Sequence, residues 1–151
     1  VRKRGENMNV LALENQLCFP LYAASKEIIK QYKDLLDPLN LTYTQYLVML
    51  VLWEDEAISV KELGKQLCLD SGTLTPVLKK LEAKGYLVRN RNQDDERSLR
   101  VTLTDSGKGL HEQALEIPYK VTEFLPLEPE ELSVLHELTT KMVQKFQEQE
   151  K

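Results

Sequence analysis

The feature that most constrains this chain is a run of short elements over residues 59–104. Ser59 stands ahead of Val60 as a helix cap, with Glu62 three residues on as its capping-box partner. That helix runs to Cys68. Asp70 or Ser71 caps a second short helix over residues 73–84, and Gly85 follows as a stop. Two short helices joined by a turn of a few residues form a helix-turn-helix. Residues 86–91 and 98–104 then alternate polar and apolar, through Leu87 and through Leu99, Val101 and Leu103, and the charged loop 92–97 joins them. A hairpin directly after a helix-turn-helix is a wing. The fold class expected is therefore mainly α with a small β wing, a winged helix-turn-helix.

Amphipathic helices flank this centre. Over residues 11–39 apolar side chains recur at Leu17, Leu21, Ala24, Ile28, Leu35 and Leu39, with three- and four-residue steps. Pro20 fits only within the first turns, so the regular helix is expected to begin near Asn15, and Pro38 and Asn40 end it. Thr42 or Thr44 caps a helix to about residue 54 that is apolar nearly all round, the mark of a central core helix. One further helix is expected from Thr104 or Asp105 to about residue 125, interrupted at Pro118. A last helix over about 128–148 carries the stripe Leu132, Leu135, Leu138, Met142 and Phe146. One small core cannot cover the stripes at both ends, so a homodimer built from the N- and C-terminal helices is expected. The division is 1–40 (dimerisation), 41–104 (winged core) and 105–151 (dimerisation), one unit over 11–148.

Composition narrows the function classes. The longest apolar stretch is residues 46–53, far short of the roughly 20 that span a bilayer. No segment reads as a signal peptide, so the expected place is the cytoplasm, with no membrane partner. Two cysteines, Cys18 and Cys68, and two distant histidines make neither a disulfide scaffold nor a metal site, and no cofactor is implied. The net charge is −4, yet residues 79–100 carry seven basic against four acidic side chains, leaving −7 for the remainder. A local basic patch on an acidic body can contact phosphates.

The second short helix has the composition of a DNA reader. A recognition helix enters a major groove roughly 12 Å wide by its N-terminus, where small and hydroxyl-bearing residues allow close approach. Ser71, Gly72, Thr73 and Thr75 supply these, and Pro76 offers an apolar face to a thymine methyl or stiffens the turn. Lys79 and Lys80 follow for phosphates. The plainer reading is that Ser71 and Thr73 only cap a helix. The wing weighs against it. Arg97 at the hairpin tip can enter a minor groove, where a narrow A·T tract concentrates negative potential, and Asp95 can brace it. The partner implied is a double-stranded operator, palindromic and A·T-rich.

Three blocks add a family resemblance. Leu69-Asp-Ser-Gly-Thr-Leu-Thr-Pro-Val-Leu-Lys-Lys-Leu-Glu82 looks like the recognition helix of the MarR family of winged-helix regulators. Asp94-Asp-Glu-Arg97 before Ser98 looks like that family's wing signature. Leu13-Glu-Asn-Gln-Leu-Cys-Phe19 is similar to the organic-hydroperoxide-sensing repressors, the OhrR type. The resemblance runs from about Leu13 to Pro118.

It implies that Cys18 is a redox sensor. A thiol reacts with peroxide as thiolate, and a helix N-terminus stabilises thiolates. Cys18 falls in the first turns of the first helix, with Tyr22 four residues on and on the same face. In OhrR-type dimers two tyrosines of the other subunit hydrogen-bond the reactive sulfur, and Tyr32 and Tyr43 occupy the matching positions. On spacing alone, the better reading is that Cys18 is a small buried residue and the tyrosines are core. Some relatives carry a second cysteine in a C-terminal helix, and here nothing beyond Cys68 is cysteine. A Cys18 sulfenate would then be capped by a low-molecular-weight thiol or oxidised further. Cys68 reads as a packing residue. The resulting expectation is a repressor released by organic hydroperoxide, and not an enzyme. The alternatives are a MarR-type repressor answering a small lipophilic or phenolic ligand, and a thiol peroxidase. The peroxidase would need a group polarising the peroxide, and Leu17 and Phe19 flanking Cys18 supply none.

Overall fold

The computed structural model describes residues 9–91 and 99–149. In chain order these form α1 (Cys18–Leu36), α2 (Tyr43–Asp55), β1 (Ala57–Ser59), α3 (Val60–Leu67), α4 (Ser71–Ala83), β2 (Leu87–Arg91), β3 (Leu99–Leu103), α5 (Asp105–Ala114), α6 (Ile117–Phe124) and α7 (Pro129–Gln149). The wing loop, with Asp95 and Arg97, lies outside the described residues.

Local chemistry sets the boundaries. Thr42 and Gln45 form a full capping box at the start of α2. Ser59 accepts from the Glu62 amide at the start of α3. Asp70, rather than Ser71, caps α4. Gly85 after α4 has φ 77°, a left-handed value that suits glycine.

Two helices differ from expectation. The first, expected over 11–39 with its regular part beginning near Asn15, is regular over Cys18–Leu36, between 3-10 turns at Leu13–Asn15 and Asp37–Leu39. Pro20 is thereby its third residue, where a missing N–H breaks no helical bond. Asn40 turns left-handed, with φ 54°, and ends the turn that carries Pro38. The single helix expected to about residue 125 is two, α5 and α6. Pro118 sits in the first turn of α6, where proline is at home, rather than within one kinked helix.

The winged centre closes around α2, which touches α1, α3, α4, α5 and the sheet. Val48, Met49 and Leu52 of α2 are fully buried with Leu63, Leu74, Leu78, Leu81, Leu87 and Val101. Each such side chain contributes about 1.5–3 kcal/mol of burial free energy. The sheet is antiparallel in the order β1-β3-β2, with Ile58 opposite Val101 and Leu87 opposite Leu103. Behind it α5 packs tightly. A Cβ on Gly107 would lie 2.0 Å from the Tyr86 carbonyl oxygen, so only glycine fits.

The two ends of the chain are different. Leu36 is the one residue of α1 in the buried class, while Leu17, Phe19, Leu21 and Tyr22 are exposed. No residue of α7 is in the buried class, and Leu135, Leu138, Met142 and Phe146 stand open. Among the described residues no helix is long and apolar enough to cross a membrane.

Candidate DNA-reading surface and cysteine–tyrosine site

α4 divides cleanly into two faces. Leu74, Leu78 and Leu81 hold it to the core, while Ser71, Gly72, Thr73, Pro76, Lys79 and Lys80 are exposed and Thr75 is half-buried. The surface that the recognition-helix reading requires is therefore open. One detail differs. The Asp70 carboxylate accepts the Thr73 amide at 2.9 Å and the Thr73 hydroxyl at 2.8 Å. Those two bonds hold its pKa below the ordinary carboxylate value. The Thr73 hydroxyl proton is thus committed to the cap, and only its lone pairs face outward. Ser71 is the first helical residue and not the cap. Pro76, inside the helix, cannot donate to the Gly72 carbonyl, which is left without its helical bond on the exposed face.

The wing is fastened to this helix. Arg89 of β2 donates from its backbone N–H to Glu82 Oε1 and from its guanidinium to Glu82 Oε2, at 3.0 and 2.6 Å. The arginine holds the Glu82 carboxyl below its usual range. The strand leading to Arg97 is thereby fixed against the last turns of α4.

At the other site, Cys18 is the first residue of α1 and is exposed. Leu17 gives no side-chain cap, so the first-turn amides are open. Tyr22 is exposed one turn on. Tyr32 and Tyr43 are brought together across α1 and α2, ring edge to ring face, with centroids 4.8 Å apart. Tyr46 and Phe124 complete the cluster at 6.0 and 6.3 Å from Tyr32. Burial, then the neighbouring phenols, raises the Tyr32 pKa to about 12. Burial raises Tyr43 as well. Both stay protonated at neutral pH, so each hydroxyl keeps a proton to donate. Within one chain they do not meet Cys18, because Tyr32 lies 14 residues along the same unbroken helix, about 21 Å away.

Cys68 is a correction. It is exposed rather than packed, sits in the turn between α3 and α4 with φ 54°, and accepts a bond at 3.2 Å from Gln147 of α7. Beside it a cleft of about 610 Å³ runs between α3, the start of α4 and the end of α7, lined by Leu69, Leu74, Val143 and Phe146. Among the described residues no group of His, Cys, Asp or Glu could hold a metal ion.

With the winged centre and its exposed helix in view, the relatives decide the family. The family model described as transcriptional regulator SarA/Rot matches residues 30–114, more than half of the chain. The chain belongs to this family of transcriptional regulators. The organic hydroperoxide resistance transcriptional regulator of Bacillus subtilis is 57% identical over 108 residues, covering 72% of this chain and 74% of its own. The regulator SarZ of Staphylococcus aureus is 44% identical over 140 residues, covering 92% and 95%. Among solved structures, reduced AbfR bound to DNA, a protein of Staphylococcus epidermidis, superposes with a TM-score of 0.72 at 40% identity, covering 86% of this chain and 91% of that one. The resemblance to MarR-type, hydroperoxide-responsive regulators is borne out, and family membership sets the peroxidase reading aside.

Three side chains important to this arrangement escaped the reading of the sequence. Glu82 and Arg89 are seven residues apart on different elements, and only their opposite charge hinted at a pair. Lys84, read as part of a basic patch, instead reaches back to Asn40 and Gln45. The Thr42-x-x-Gln45 spacing was the visible signal for the acceptor half of that contact.

Proposed function

We propose that two copies of this chain form a repressor on a palindromic, A·T-rich operator, and that oxidation of Cys18 by an organic hydroperoxide releases it. The observation that carries this reading is the separation of the two halves of the sensor. An exposed cysteine opens α1 among uncovered apolar side chains, and Tyr32, about 21 Å up the same helix, packs there against Tyr43 of α2. A second copy, packed along α1 and α7, can bring its Tyr32 and Tyr43 to this Cys18 and cover both stripes at once. Phenols donating to the sulfur favour the thiolate.

The chemistry is a two-electron oxidation. The Cys18 thiolate attacks a peroxide oxygen, an S–O bond forms, the O–O bond breaks, and the departing alkoxide takes a proton to leave as an alcohol. The sulfenic acid then condenses with a low-molecular-weight thiol, forming an S–S bond and releasing water. The added volume sits at the dimer contact. It changes the spacing of two α4 helices that must match a DNA turn of about 34 Å. The DNA-bound state of AbfR and the name of the Bacillus relative support the operator and the oxidant respectively. Ser71, Gly72, Thr73, Thr75, Pro76, Lys79 and Lys80, together with Asp95 and Arg97 outside the described residues, are the residues assigned to DNA.

The test is binding of an A·T-rich palindrome before and after one equivalent of organic hydroperoxide, with light scattering on the free protein. A dimer that binds and is released supports the reading, and a stable monomer at micromolar concentration contradicts it. The cleft beside Cys68 favours one second reading, a repressor answering a small lipophilic ligand, in which peroxide has no effect.

A further inference from the structure

The recognition helix and the tyrosine pair are joined by a polar bridge. Lys84, the residue that ends α4, points its ammonium away from the exposed face and into the turn before α2. It donates to the Asn40 carbonyl at 2.5 Å and to Gln45 Oε1 at 2.8 Å. Gln45 is only 2% exposed, the one polar side chain in the buried class among the described residues. Its Oε1 also accepts the Thr42 backbone amide, and its backbone amide donates to the Thr42 hydroxyl. Between these anchored residues stands Tyr43, the first residue of α2. A second bridge runs beside the first, from the Tyr86 hydroxyl to the Leu39 carbonyl at 3.3 Å.

We propose that Lys84 is a positioning residue that couples the Tyr43 end of the sensor to the C-terminal end of the recognition helix. The proposal rests on the redox reading above and adds the route by which the sensor moves the reader. Four features carry it. Lys84 meets two neutral oxygens and no carboxylate, so its placement is not that of a surface ion pair. Fixing so long a side chain costs rotamer entropy, which only directional bonds offset. Its acceptors flank Tyr43 on both sides in sequence, so a shift of Tyr43 displaces both. The buried side chains of α2 and α4, among them Met49, Leu52, Leu78 and Leu81, belong to one apolar cluster, and apolar packing is non-directional.

The experiment uses the full chain and four proteins: the parent, Lys84→Met, Lys84→Arg and Tyr86→Phe. Methionine keeps the aliphatic stem without the donor, and arginine restores a donor. Two readouts are taken with cumene hydroperoxide: the rate of Cys18 oxidation by peptide mass, and operator affinity before and after oxidation is complete. Lys84→Met is expected to oxidise at the parent rate and to bind as the parent does when reduced. Its ratio of reduced to oxidised affinity should fall by about fivefold or more, the scale of a typical coupling energy. Lys84→Arg should regain most of the parent ratio, and Tyr86→Phe should fall between. Parent-like release of Lys84→Met overturns the proposal. So does weaker binding of its reduced form with a shallower salt dependence, which would make Lys84 a phosphate contact. A parent that keeps its operator after full oxidation of Cys18 overturns the redox reading itself, a result distinct from either.

Discussion

Arg89 and Glu82 join the wing to the recognition helix by three bonds, two from the guanidinium and one from the backbone. The folded-state pKa of Glu82 is lowered by this contact. A carboxyl with a lowered pKa contributes stability above its unfolded value and loses it as pH falls through the folded one. The parent should therefore lose stability on acidification below the ordinary Glu range more steeply than Glu82→Gln does. Parallel denaturant midpoints of the two proteins from pH 7 to pH 3 would contradict this.

Gly107 is where α5 meets the strand region. Alanine there would place a Cβ against the Tyr86 carbonyl, backbone against backbone, with little room to yield. Gly107→Ala should destabilise the chain by about 1–3 kcal/mol or more, read as a lower midpoint in urea. Gly109 has no neighbour within 4 Å of an added Cβ, so Gly109→Ala is the control and should be neutral or mildly stabilising in its helix.

Lys79 is exposed on α4, on the face proposed to meet DNA. Lys79→Ala should weaken binding to all sequences and reduce the salt slope by about one per half-site. A loss confined to one operator sequence, with the slope intact, would make Lys79 a base reader instead.

Tyr32 and Tyr43 are protonated at neutral pH, as ordinary phenols are, and burial raises both further. Replacing either by phenylalanine removes one donor and keeps the ring packing. Tyr32→Phe and Tyr43→Phe should each slow the peroxide response while the reduced protein binds its operator as before. Stopped-flow oxidation of Cys18 reads the rate, and an unchanged rate in both variants would remove the tyrosines from the sensor.

The order of elements was legible because short-range chemistry writes it: Ser59 as a cap, Gly85 as a stop, and alternation through Leu99, Val101 and Leu103. The limits of α1 were less so, since the apolar period continues from Leu11 to Leu39 while the backbone bonds do not. The face of α4 was readable, but the assignment of its cap was not, because Asp70 and Ser71 are equally good cap residues in sequence. Lys84 and Gln45 were hidden for another reason. They lie 39 residues apart and meet only once α2 and α4 share a core. Cys68 was misplaced because a free cysteine is usually buried, and a left-handed turn is not a usual place for one.

The most direct test of the account is a gel-shift titration of the operator complex with cumene hydroperoxide, comparing the parent, Cys18→Ser and Cys68→Ser. The account predicts that all three bind equally when reduced, that the parent and Cys68→Ser are released, and that Cys18→Ser is not. Release of Cys18→Ser at the same peroxide concentration as the parent would contradict it.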